Sequence, residues 1–225
     1  MGLLSSENLT SRTSESNYTT GEEIANGITH GIGAGLSIAG LVLLVYYAAV
    51  YGNAWHIVSC AIYGTTLVLL YTVSTLYHSI PSPRVKSVMQ ILDHSAIFLL
   101  IAGTYTPFTL VSLRGPWGWS LLGVIWGAAL LGILFQTALQ KSWVALTVGL
   151  YILMGWAVIV AIQPLLSAVP AEAFVLLLAG GLAYTLGTLF FIWKQLKFHH
   201  AIWHLFVLAG SALHFFAVFY YVIPA

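Results

Sequence analysis

The stretch FHHAIWHLFVLAGSALHFF (198–216) sets four histidines in a run that otherwise has the composition of a membrane-spanning helix. Ionisable side chains are costly at membrane depth, so imidazoles kept there call for a partner or a task. Whether the run is a span at all depends on the rest of the chain.

In 225 residues, 60% are hydrophobic and only 6% are charged, with a mean hydropathy of +0.94. A soluble domain carries about a quarter charged residues, so this composition places the chain in the bilayer. The net charge of +1, with seven Lys+Arg over the whole length, excludes a nucleic-acid surface, which needs a concentrated basic patch. Cys60 is the only cysteine, so no intrachain disulfide forms and cysteine usage says nothing of redox compartment.

Outward from 198–216, six further apolar runs come close to the roughly 20 residues that cross a bilayer. The expected spans are 24–50, 55–77, 88–112, 117–139, 143–163, 172–193 and 199–222. Breaks fall at Gly52 and Asn53, at Pro81, Pro83, Arg84 and Lys86, at Arg114, Gly115 and Pro116, at Gln140 and Lys141, at Pro164 and Pro170, and at Lys194 and Lys197. Trp55, Trp117, Trp119, Trp143 and Trp193 lie at or beside these ends, as an aromatic belt requires. Residues 1–20 are rich in Ser, Thr and Asn, and lack the basic and apolar regions of a cleavable signal. They read as a flexible cytoplasmic tail (1–21) ahead of one domain (22–225). Thr20 and Glu23 have capping-box spacing, which sets the expected start of the first helix.

The fold expected is therefore an all-α integral membrane protein, a seven-helix bundle. With seven spans, Arg12, Arg84, Lys86, Lys141, Lys194 and Lys197 fall on one side and Arg114 alone on the other. This bias puts the N-terminus in the cytoplasm and the C-terminus outside.

That topology brings polar residues to one depth. The second span runs toward the cytoplasm and ends in STLYH, with Ser74 and His78 four apart on one face. The third begins with ILDHS and carries Asp93, the one acid well inside a span. The seventh carries His200 and His204 in its first two turns, again four apart. Two histidines at i and i+4 with a third from another helix form the His₃ set that holds a catalytic zinc with one position open. Asp93 would then bond the water or orient a ligand histidine. The plainer alternatives stay open on spacing alone: histidines at headgroup level, as expected for His199, and Asp93 paired with Arg84 or Lys86.

Other positions sort more simply. Gly27, Gly31 and Gly35, at steps of four, present a small-residue face for close helix packing. Glu22, Asn26 and His30 share a stripe at the level of the site, and a supporting or packing role is expected of them rather than ligation. His94 faces about 100° away from Asp93, and His214 lies about 15 Å deeper than His204, so neither joins the same ion. His214 is expected to bond a neighbouring helix or line a lipid cavity, His56 to sit at the outer interface, and Pro107 to kink the third span.

The runs EEIANGITHGIGAG (22–35), STLYHS (74–79), LDHSAIFLLIAGTYTPF (92–108) and HHAIWHLFVLAGSALHF (199–215) resemble the haemolysin III family, which is grouped with the progestin and adiponectin receptors and, more distantly, the alkaline ceramidases. The resemblance covers about 22–222. It implies a zinc ion near the cytoplasmic face on His78, His200 and His204, with Asp93 contacting the water on the metal and Ser74 one turn before the first ligand. It implies, as one outcome, a zinc-dependent hydrolase of a membrane lipid amide or ester in the cell membrane, with Asp93 as general base and Ser74 steadying the oxyanion or leaving group. A sensor or homeostasis protein with a structural zinc, and a membrane-permeabilising haemolysin, are the alternatives. Only one in-span carboxylate is available to line an aqueous path, which ranks the pore last.

Overall fold

The computed structural model describes residues 18–139 and 144–224. Arg12, Gln140, Lys141, Trp143 and most of the expected tail lie outside them. Seven helices are each long and apolar enough to cross a membrane: α1 (Thr20–Tyr51), α2 (Ala54–Ser79), α3 (Pro83–Ser112), α4 (Pro116–Leu139), α5 (Val144–Ala168), α6 (Ala171–Ile192) and α7 (His199–Tyr221). No strand occurs among the described residues. Because the backbone groups in hydrocarbon have no water to bond, each crossing closes its hydrogen bonds within itself. The chain is a multi-pass protein of the cell membrane.

Local chemistry sets the helix ends. The capping box of α1 lies one residue earlier than expected: Thr19 Oγ1 accepts from the Glu22 amide, and the Glu22 carboxylate accepts the Thr19 N–H at 2.9 Å. The shift frees Glu23 to face inward. At α2, Asn53 caps the helix and the ring of His56 accepts the Asn53 N–H at 3.2 Å, so His56 is a buried capping residue at the helix start. Helix α3 starts at Pro83, where a missing N–H costs nothing. After Pro107 it widens into a π turn over Phe108–Ser112, which is how the chain takes up the expected kink. The fifth span does not stop at Pro164. It passes through a 3₁₀ turn at Ala157–Ala161, resumes as α-helix at Ile162 and ends at Ala168. Pro164 lies in the first turn of the resumed helix, where proline is tolerated, and the break falls at Pro170.

The core runs between α2, α3, α4 and α7, with Tyr63, Tyr71, Phe98, Ile125 and Val218 essentially inaccessible. Leu36, Val42, Leu131, Leu153 and Val160 on the outside are more than half exposed, as apolar groups facing lipid should be. Helix packing departs from the expected glycine stripe. A Cβ on Gly27 or Gly31 would make ordinary or slightly tight contact with α2, and on Gly35 it would touch nothing. Close approaches fall elsewhere, among them Gly33, against Tyr71 of α2 and Leu208 of α7, and Gly103, where Thr66 fills the space a side chain would need.

Candidate metal centre

The basic connections at Arg84 and Lys86 and at Lys194 and Lys197 share one end of the bundle, and the polar site lies just inside it. His78, in the last turn of α2, meets His200 and His204 from the first two turns of α7. One ring nitrogen from each lies within 4.8 Å of the others, and all three residues are buried. Ring centroids are 5.1 Å apart for His78 and His200, 5.2 Å for His78 and His204, and 4.5 Å for His200 and His204.

Helix α1 supports two of these rings from behind. Glu23 Oε2 lies 2.6 Å from His78 Nδ1, and its other oxygen takes Lys86 Nζ at 2.8 Å. A carboxylate can only accept from the ring, so Nδ1 carries the proton and Nε2 keeps its lone pair. His204 Nδ1 faces the Asn26 carbonyl at 3.2 Å, which fixes the same tautomer, and Thr29 Oγ1 lies 3.1 Å from it. His30 stacks on His204 at 3.4 Å between centroids, 13° from parallel, and turns its edge to Tyr71.

A further observation bears on a metal. Eight buried side-chain atoms among the described residues lack a hydrogen-bond partner, and seven of them belong to Asn26, His30, Ser74, His78 and His200. They include His78 Nε2 and both nitrogens of His200. Unpaired buried polar atoms are costly and rare, and here they concentrate at one point. Three imidazoles, two of them held through Nδ1 by a carboxylate or carbonyl, are the donor set and outer support that zinc takes. The residues therefore fit the ion.

Asp93 is buried in α3, within electrostatic reach of His78. Ser74 Oγ lies beside its carboxyl but makes no hydrogen bond of good geometry. Among the described residues no Lys or Arg pairs with Asp93; Lys86, nearly two turns earlier on α3, is bound to Glu23 instead. His94 turns away as its 100° offset requires: its Nδ1 lies 3.2 Å from Gln136 Nε2, and its carbonyl accepts from Tyr151. His199 opens α7 at the end of the bundle and is covered by protein rather than left bare beside Lys197. It is buried, with Nδ1 donating to the Phe190 carbonyl at 2.9 Å, which ties the start of α7 to the end of α6.

Tyr18 closes the site at the end of the bundle that carries the basic connections. Its ring lies 5.1 Å from that of His200, 5.6 Å from His199 and 6.1 Å from His78. Burial, more than the nearby Tyr77, Glu23, Asp93 and Glu22, pushes its hydroxyl above the ordinary phenol range, so it stays neutral. Glu22 Oε1 accepts the Phe198 N–H at 3.1 Å and so fastens this segment to the mouth of α7. Glu23, Thr29 and Tyr18 were not singled out from sequence as site residues. The signal available was the i, i+3, i+7 spacing of Glu23, Asn26 and His30, which puts all three on one helix face.

A seven-helix membrane bundle that draws histidines from its second and seventh spans to one leaflet boundary is a recognisable class. Residues 18–215 match the Haemolysin-III related family, and the chain belongs to it. It is 52% identical over 203 residues to Hemolysin-3 of Bacillus cereus, covering 90% of this chain and 93% of the relative. It is 51% identical to a Hemolysin-3 homolog of Bacillus subtilis, covering 91% and 96%. Human monocyte to macrophage differentiation factor is 28% identical over 206 residues, covering 89% of this chain and 84% of its own length.

Proposed function

We infer that the chain is a zinc-dependent hydrolase acting on an amide or ester bond of a membrane lipid at the cytoplasmic leaflet. The observation that carries this reading is the convergence of three buried histidine nitrogens, unpartnered atoms among them, beside Ser74 and Asp93. His78, His200 and His204 would hold the metal, and Glu23 and Asn26 would keep two of the rings in the tautomer that offers Nε2. Zinc there would supply Lewis acidity and let water ionise near neutral pH. Asp93 takes the proton of the attacking water as its oxygen bonds to the acyl carbon. The C–N or C–O bond breaks, and Asp93 returns that proton to the leaving nitrogen or oxygen. The Ser74 hydroxyl donates to the carbonyl oxygen as charge develops on it. Tyr18 and its neighbours limit access of bulk water from the cytoplasm.

The acyl chain has somewhere to lie. A cavity of about 110 Å³ opens between α2, α3, α5, α6 and α7, lined by Leu70, Ile97 and Trp203 at its near end. Leu70 and Ile97 are each one turn deeper than Ser74 and Asp93 on the same helix faces, so the reacting groups stand at the mouth of the cavity.

The test is metal analysis of protein purified in detergent without chelator, alongside His78→Ala, His200→Ala and His204→Ala, and turnover of N-acyl and O-acyl lipids by the same preparations. About one zinc per chain, lost in the variants together with turnover, is the expected result. Zinc without turnover of any lipid would leave a structural or sensing site, and absence of zinc would end both readings. The name of the Bacillus cereus relative points to haemolysis, and liposome leakage under the same conditions would support that alternative.

A further inference from the structure

We propose that the cavity selects an acyl chain bearing a hydroxyl near its middle, with His214 as the acceptor that reads it. This deepens the proposed function, since it takes the lipid to lie with its scissile bond at the histidine trio.

His214 lines the far end of the cavity, ten residues beyond His204 on α7 and so about 15 Å from the trio. Its Nδ1 lies 2.8 Å from the Gly210 carbonyl of its own helix. A carbonyl only accepts, so that nitrogen carries the proton, and the neutral ring offers Nε2 as a bare acceptor. The position is built for this ring. Gly180 of α6 faces it, and a Cβ there would collide with the Nδ1 and Cε1 edge of the ring.

The other polar groups of the deep cavity are bonded within the bundle, and either hydroxyl of the Tyr184–Ser211 pair can be the donor. Thr104 donates to the Leu100 carbonyl and Tyr105 to the carbonyls of Met154 and Gly155. The Trp156 indole donates to Thr185 Oγ1, which itself donates to the Gly181 carbonyl. The Tyr184 hydroxyl is engaged with Ser211 Oγ at 2.8 Å, and Ser211 Oγ also accepts from Tyr71. These are backbone and side-chain bonds internal to the bundle. What remains for a guest is an apolar wall with an acceptor.

Such a wall discriminates by chemistry. A plain methylene chain fits but leaves Nε2 unpaired, at the cost of a buried acceptor. A carbonyl or ester oxygen at that depth brings a second acceptor and forms no bond with Nε2. A hydroxyl donates to Nε2 and satisfies both. The volume is about an order of magnitude above the ~10–15 Å³ that one water needs, so a chain segment is accommodated.

The test is equilibrium competition for a radiolabelled saturated fatty acid, using the full chain in detergent or nanodiscs. Three unlabelled competitors are compared: stearate, stearate hydroxylated beside the carboxylate, and stearate hydroxylated near mid-chain. The mid-chain alcohol is expected to compete roughly tenfold better than the other two. His214→Phe removes the acceptor and keeps an aromatic ring, so it should abolish the preference while leaving stearate binding. Gly180→Ala, which pushes on the same ring from α6, should do likewise if the first variant misfolds. Equal affinity for all three chains in the natural protein, persistence of the preference in folded His214→Phe, or failure of every chain to bind would each overturn the proposal. Zinc content is measured on each preparation, so failure of the metal reading and failure of chain selection are seen separately.

Discussion

Glu23 and His78 meet across the interface of α1 and α2 at 2.6 Å, which ties α1, itself without a histidine of the trio, to a helix that carries one. Lys86 closes the arrangement from α3, so residues from three helices fix the orientation of one imidazole. Glu23→Gln keeps the size of the side chain but removes the charge that favours a protonated Nδ1. Loss of such outer support costs ~10–100-fold in metal affinity. Zinc competition against a calibrated chelator should show a weakening of that order with the fold unchanged, whereas His78→Ala should abolish binding. An affinity equal to that of the natural protein would mean that Glu23 serves only helix packing.

Tyr18 covers the trio from the side opposite the cavity, with its ring 5.1 Å from that of His200. If this ring is what keeps bulk solvent from the site, Tyr18→Ala should release metal to excess chelator several-fold faster than the natural protein, with little change in the amount bound at equilibrium. Tyr18→Phe retains the ring and should release metal at the natural rate. Stopped-flow measurement with a colorimetric chelator separates the two, and a fast Tyr18→Phe would shift the role from the ring to the hydroxyl.

The seven spans were legible in the sequence because each apolar run is long and is bounded by glycine, proline or charge. The convergence of His78, His200 and His204 was legible because parity of crossing puts the end of α2 and the start of α7 at the same leaflet. What sequence left out depends on rotation about helix axes. Glu23 was read as a capping residue, and a shift of the cap by one residue to Thr19 and Glu22 turns it into a support for His78. A place beside Lys197 does not reveal that the left-handed backbone of Phe198 turns the chain so that the His199 ring is buried and bonded to Phe190. Pro164 read as a break, and the 3₁₀ turn ahead of it lets the helix continue. The cap is displaced by one residue and the fifth span runs on from 163 to Ala168, differences that composition and spacing do not resolve.

Helix packing offers a test independent of the site. Gly103 of α3 is pressed on Thr66 of α2, and a methyl group there collides with the threonine Cβ as well as its hydroxyl. Gly103→Ala should destabilise the bundle by about 1–3 kcal/mol. Adding Thr66→Ala makes room and should recover part of the loss, so the two substitutions should be non-additive. Gly35→Ala, on the stripe that looked like a packing face, meets nothing within 4 Å and should be nearly neutral. Thermal unfolding in one detergent checks all four proteins together.

Asp93 and Ser74 stand beside the trio without ligating in it, and that separates chemistry from assembly. Asp93→Asn conserves shape but cannot take a proton from water, so turnover of a lipid substrate should fall by ~10²–10⁴-fold. Ser74→Ala removes a donor to the developing oxyanion and should cost up to ~10²–10³-fold. Both variants should keep zinc near the natural stoichiometry, because the three imidazoles and their supports on α1 are untouched. Loss of zinc in Asp93→Asn would place the carboxylate in the coordination sphere or in its immediate support. Retention of full turnover in both variants would remove the acid–base and oxyanion roles and, with them, the hydrolytic mechanism built on these two residues.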